Sequence, residues 1–96
     1  FMAGAHGAIW GGANYMPYEA VKLYELVAAG EYPQALELWS RMIPSLLYIW
    51  FGDYMPAVKA ASRMRGFDGG YIRKPLRSLS QDDEAQLRAS LAPLDL

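Results

Sequence analysis

Proline and glycine cut this chain into pieces of helix length, and that punctuation constrains its fold more than any other feature. Pro17, Pro33 and Pro56 stand where helices can start, and Gly30, Gly52 and Gly66 stand where they can stop. Proline suits a first helical turn, because the amide it lacks has no intrahelical partner there. Glycine suits the position just past a helix end, where the backbone often turns left-handed. The spacing predicts helices over residues 17–29, 33–51 and 56–65. A fourth is predicted over 81–91, with Ser80 as its cap. Ser80 and Asp83 form a variant capping box, and Asp82, Asp83 and Glu84 complement the helix dipole.

Periodicity assigns faces to these helices. In the first, Ala20, Val21, Tyr24, Val27 and Ala28 share one side, which Leu23 and Leu26 widen. In the second, Ala35, Leu36, Trp39, Met42, Ile43, Leu46, Leu47 and Trp50 form a stripe, with a kink expected at Pro44. From Leu46 to Phe51 every residue is large and apolar, so a helix must point them in all directions. A helix without a polar face is buried on several sides. Ala57, Ala60, Ala61 and Met64, with Val58 beside them, form the inner face of the third helix, and Leu87 and Leu91 that of the fourth. The third and fourth are expected to pack on the second. Residues 67–79, with Gly69, Gly70 and Pro75, read as an irregular connection.

Only one strand is suggested: the apolar run Ala8-Ile9-Trp10 between Gly7 and Gly11. One strand cannot make a sheet. The chain also opens abruptly in apolar residues at Phe1-Met2-Ala3, which reads as a chain cut inside a larger structure. Hydrophobic residues make up 53% of the 96. A domain of this length buries only roughly 60–65% of its unfolded surface. Such a composition therefore points to surfaces meant to meet something else.

Charge and composition exclude several classes. A net charge of −1 gives no general attraction to nucleic acid or anionic lipid. The absence of cysteine removes disulfides and thiolate metal sites. Ile43 to Phe51 is too short for a membrane helix, which needs about 18 apolar residues. No signal peptide is visible, so the cytoplasm is the expected location. His6 stands alone and reads as structural rather than as a metal ligand. Lys59, on an alanine-rich helix, reads as a solvated or salt-bridged lysine rather than a Schiff-base nucleophile. Lys59, Arg63, Arg65, Arg73, Lys74 and Arg77 crowd one stretch, and a solvated face with interhelix ion pairs is expected there rather than a phosphate patch. Trp39, Tyr48, Trp50 and Phe51 read as core or subunit interface. Gly11, Gly12 and Asn14 follow the strand. They fit either a tight turn, with Asn14 bonding its own backbone, or the wall of a pocket.

Three blocks together resemble a known family. The first is Gly4-Ala5-His6-Gly7-Ala8-Ile9-Trp10-Gly11-Gly12-Ala13-Asn14-Tyr15-Met16-Pro17. The second is Gly30-Glu31-Tyr32 with Ala35, Leu38 and Pro44. The third is Pro56-Ala57-Val58-Lys59-Ala60-Ala61, then Gly66, then Gly70-Tyr71-Ile72-Arg73-Lys74-Pro75-Leu76. In order and spacing they resemble the C-terminal end of the dihydrodipicolinate synthase / N-acetylneuraminate lyase family of class I Schiff-base aldolases. Trp10 departs from the family, which usually has a small residue there. Gly11-Gly12 replaces bulkier or hydroxyl residues, and both departures bear on substrate subtype rather than fold.

The resemblance implies that this mainly α chain holds the last strand and helix of a (β/α)8 TIM barrel, residues 1–30, followed by a C-terminal helical extension, residues 31–96. It implies a lysine that forms a Schiff base with pyruvate or another 2-oxo acid, on upstream barrel strands, in a homotetramer without a cofactor or metal. Lys22, Lys59 and Lys74 match no catalytic position, so the segment alone is expected to be inactive. Trp10, Gly11, Gly12 and Asn14 are the expected substrate-binding residues, at the mouth of the barrel. The competing expectation is a non-enzymatic helical interaction or oligomerisation module, assembled through the Ile43–Phe51 face.

Overall fold

The computed structural model describes residues 1–94. Four α-helices follow one another: α1 Pro17–Ala28, α2 Tyr32–Phe51, α3 Tyr54–Met64 and α4 Gln81–Leu91. A 3-10 turn at Gly11–Asn14 precedes them, and another at Ala92–Leu94 closes them. The mainly α expectation holds, and all four helices lie where the punctuation placed them. α3 starts two residues ahead of Pro56, which sits inside the first turn. Amides there have no intrahelical acceptor, so proline is tolerated at more than one position.

The strand expected at Ala8–Trp10 is a correction. Trp10 has extended dihedrals, φ −151° and ψ 121°, but no strand forms among the described residues. A strand is defined by its ladder to a neighbour, and no described residue supplies that neighbour. Ile9 is left fully exposed.

Two of the three glycine stops close as Schellman motifs, while Gly52, after α2, is extended at φ −113°. At the end of α1, Gly30 has φ +75°, the Glu31 amide donates to the Leu26 carbonyl at 2.8 Å, and the Gly30 amide donates to Val27 at 3.0 Å. The end of α3 repeats this with Gly66 at φ +97°, Phe67 donating to Ser62 and Gly66 to Arg63. Both satisfy carbonyls that the helix end would otherwise orphan. At the start of α4 the Ser80 hydroxyl accepts from the Asp83 amide at 3.1 Å, as its capping pattern predicts.

α2 is the central element, with α1, α3 and α4 all packed against it, and α3 also meets α4. The core gathers Tyr15, Met16, Leu38, Met42, Ile49, Ala57, Ala60, Ala61, Leu87, Leu91 and Leu94. The inner stripe of α2 is Ala35, Leu38, Met42, Ser45 and Ile49. This corrects the expected stripe. Leu36, Trp39, Leu47 and Trp50 are exposed, and only Ala35 and Met42 of the eight are fully buried. On α1 the inward residues are Leu23 and Leu26, half-buried against the core, whereas Val21, Tyr24 and Ala28 face out. The inner faces of α3 and α4 agree with expectation: Ala57, Ala60, Ala61, Leu87 and Leu91 are buried. α2 runs through Pro44 as one element. Among the described residues no helix is long and apolar enough to cross a membrane.

Candidate functional site

The four residues singled out from sequence lie together on the turn between the extended N-terminal segment and α1. Trp10 caps the turn, and its carbonyl accepts from the Ala13 amide at 3.2 Å. Gly12 is buried, and its carbonyl takes both the Tyr15 and Met16 amides. Asn14 is exposed, and its Nδ2 donates to the Gly11 carbonyl at 3.0 Å. The side chain thus closes its own turn, as an Asx-type residue does.

The reason for two glycines is steric. A methyl built on Gly11 would coincide with the Tyr54 hydroxyl. One built on Gly12 would stand 2.5 Å from the Trp10 ring. Each glycine makes room for a side chain of this same chain, one from α3 and one from two residues upstream.

Trp10, Gly12, Tyr15, Trp39, Trp50 and Tyr54 line a cavity of about 440 Å³, completed by aliphatic side chains of α2. Trp50 and Tyr54 meet edge to face across the Gly52-Asp53 break, with centroids 6.4 Å apart at 87°. A second cavity, about 580 Å³, is lined by Asn14, Met55, Lys59, Ser62, Phe67 and Asp68 among others. Tyr54 belongs to both.

Two shielded polar contacts tie the elements together, one from the turn to α2 and one from α3 to α1. The Tyr15 hydroxyl is 3.1 Å from Ser45 Oγ, in the core. Ser45 spends its only proton on the Met42 carbonyl at 3.2 Å, so Tyr15 is the donor of that pair. Burial pushes the Tyr15 phenol up to about 12, against a smaller lowering by the Ser45 contact. Arg65, at the end of α3, pairs with Glu19 in the first turn of α1, with side chains only 14% and 15% exposed. Glu19 Oε2 and Arg65 Nη1 have no partner among the described residues. On the far side of the bundle the Tyr48 hydroxyl donates to the Asp83 carbonyl at 3.0 Å. Burial, then the Asp83 and Asp53 charges, raise the Tyr48 pKa.

The basic stretch resolves in part into structural contacts. Lys59 donates to the Tyr71 carbonyl at 2.7 Å, Arg63 pairs with Glu84 at 2.5 Å, and Arg65 holds Glu19. Tyr54, Tyr15, Ser45 and the Glu19–Arg65 pair were not legible as site residues from sequence. The Gly52-Asp53 break hid Tyr54, and nothing in local spacing links residues 30 or more positions apart.

The Dihydrodipicolinate synthetase family model matches residues 1–93. An uncharacterized DapA-like lyase of Halobacterium salinarum is 41% identical over 97% of this chain and 31% of its own length. An N-acetylneuraminate lyase of Rhizobium meliloti is 35% identical over 98% of this chain and 31% of its own. A 4-hydroxy-tetrahydrodipicolinate synthase of Teredinibacter turnerae is 37% identical over 95% of this chain and 32% of its own. No solved structure matches the chain. The chain therefore belongs to the dihydrodipicolinate synthetase family, and it spans about a third of the length of these relatives.

Proposed function

We propose that this chain is the C-terminal third of a Schiff-base lyase or aldolase acting on pyruvate or another 2-oxo acid. Residues 1–30 would complete a (β/α)8 barrel and residues 31–96 would form its helical extension, in a homotetramer located in the cytoplasm. The observation that carries the reading is the family match across residues 1–93, at a third of the relatives' length. Two features support it. The segment before Gly11 holds an extended backbone at Trp10 and exposes Ile9, as a strand awaiting its ladder would. The apolar residues of α2 that face away from the core offer a surface to a barrel wall or a neighbouring subunit.

In this reading the turn from Trp10 to Asn14 walls the substrate pocket, since barrel enzymes build their sites from the loops that follow the strands. The nucleophilic lysine comes from the preceding two-thirds. Lys22 and Lys59 sit on helices and Lys74 on the irregular connection. Lys59 is already engaged by a backbone carbonyl. A nucleophilic lysine needs a lowered pKa in a desolvated pocket.

The test is borohydride trapping with pyruvate, followed by mass mapping, on a protein that extends about 200 residues upstream, as a barrel of usual length requires. A single adduct on an upstream lysine is expected, and the 96 residues alone should give none. Adduct on Lys22, Lys59 or Lys74 of the isolated segment, or no adduct on the longer protein, overturns the reading.

A further inference from the structure

We propose that Tyr54 is a specificity-determining residue of this pocket: its hydroxyl, held over the Gly11 turn, hydrogen-bonds an oxygen at the non-reacting end of the substrate. The inference rests on the lyase reading above and extends it to a residue on α3.

Three observations carry it. First, the ring is seated against two neighbours. Tyr54 begins α3, stacks edge-on against Trp50, and lies so close over Gly11 that no side chain fits beneath it. Second, its hydroxyl is unspent. The hydroxyls of Tyr15 and Tyr48 contact polar partners within the fold; that of Tyr54, like those of Tyr18, Tyr24, Tyr32 and Tyr71, has none among the described residues, and of these five only Tyr54 lines the cavity beside the Trp10–Asn14 turn. Of the polar groups that share its second cavity, Ser62 has given its one proton to the Val58 carbonyl, while Asn14 and Lys59 each donate one hydrogen bond to a backbone carbonyl and keep further donors. Third, the ring borders two mainly apolar spaces, of which the second carries more polar groups. Trp10, Trp39 and Trp50 line one, and in the other Asn14, Lys59, Ser62 and Asp68 stand among Met55, Val58 and Phe67. A ligand lying along the turn from Trp10 to Asn14 meets the phenol where polar groups begin to join the apolar lining.

A phenol O–H donates to carboxylate, carbonyl or hydroxyl oxygen. The substrate class this selects is a 2-oxo acid, or its aldol product, that carries a hydroxyl or second carboxylate beyond the reacting carbons. A site that binds such a group discriminates against analogues lacking it, because the donor is then left unpaired.

The experiment compares 2-oxovalerate with its dihydroxylated analogue as borohydride-trapped ligands of the full-length protein, in wild type and Tyr54→Phe. The readout is the concentration of each acid that half-saturates trapping. Wild type should favour the hydroxylated acid. Tyr54→Phe should raise that acid's half-saturating concentration, relative to 2-oxovalerate, by roughly 5- to 10-fold, the size of one lost hydrogen bond. An unchanged ratio, or no preference in wild type, overturns the inference while leaving the lyase reading intact. Failure of wild type to trap either acid overturns both. A large fall in the melting temperature of Tyr54→Phe assigns the hydroxyl to the fold and overturns the inference alone.

Discussion

Tyr15 takes a hydroxyl into the centre of the core, and its titration couples folding to alkaline pH. The folded phenol is raised from 10.0 to about 12, chiefly by burial. Between those values the native state keeps its proton and the unfolded chain sheds it, so stability falls as pH rises from about 10 through 12. The full difference is on the order of 2–3 kcal/mol. Tyr15→Phe should therefore cost about 1 kcal/mol at neutral pH, for the lost hydrogen bond, and should lose less stability than wild type in alkali. Urea unfolding at about pH 8 and about pH 11 checks both signs. At the same scale, Gly12→Ala drives a methyl into the Trp10 ring. Overpacking of this kind costs about 1–3 kcal/mol, and Trp10 should swing out, with a red shift of tryptophan emission. The sequence marks Gly11 and Gly12 as places of close approach. It does not say that Tyr54 and Trp10 do the approaching, because smallness at a position carries no information about whose atoms fill the space.

At the scale of elements, stops were easier to read than faces. Gly30 and Gly66 end their helices because left-handed backbone favours glycine, a local rule that needs no tertiary partner. The inner stripe of α2 was harder. Leu46 to Phe51 offers no polar contrast, so periodicity cannot choose a direction, and the true stripe passes through a serine. Ser45 is tolerated there because Tyr15, 30 residues away in sequence, meets its oxygen. The tie between α3 and α1 was equally invisible. Arg65 and Glu19 are shielded, whereas Arg63 and Glu84 are 52% and 34% exposed. Removing one member of a buried pair strands the other and costs about 3 kcal/mol or more. An exposed pair contributes about 1 kcal/mol or less. Arg65→Met should thus destabilise the chain several times more than Arg63→Met in parallel urea melts. Equal effects would show that the Glu19 pair is as well solvated as the outer one.

The whole molecule is elongated, 43 Å along its long axis and 23 Å across, with a radius of gyration of 14.1 Å. A compact chain of this length has about 12.5 Å. Its second apolar face has no partner among the described residues. Leu36, Leu47, Trp50 and Phe51 are all more than half exposed, Trp50 at 71% and Phe51 at 80%. They continue, past Trp39, to the exposed apolar residues of the N-terminal segment, Met2 and Ile9. Sequence reading foresaw the surplus, since six consecutive large apolar residues cannot all enter one small core. Which side chains would be left out depends on packing that no local pattern records. Fully burying one such side chain contributes roughly 1.5–3 kcal/mol, so several left in water favour association. The isolated 96 residues should self-associate at micromolar concentration, and Trp50→Glu should shift them toward monomer, because a charge set in that face opposes burial of its neighbours. Sedimentation velocity across a dilution series reads both. A folded monomer at every concentration, with Trp50 freely quenched by iodide, would show that this face is stable in water and needs neither a barrel nor a second subunit.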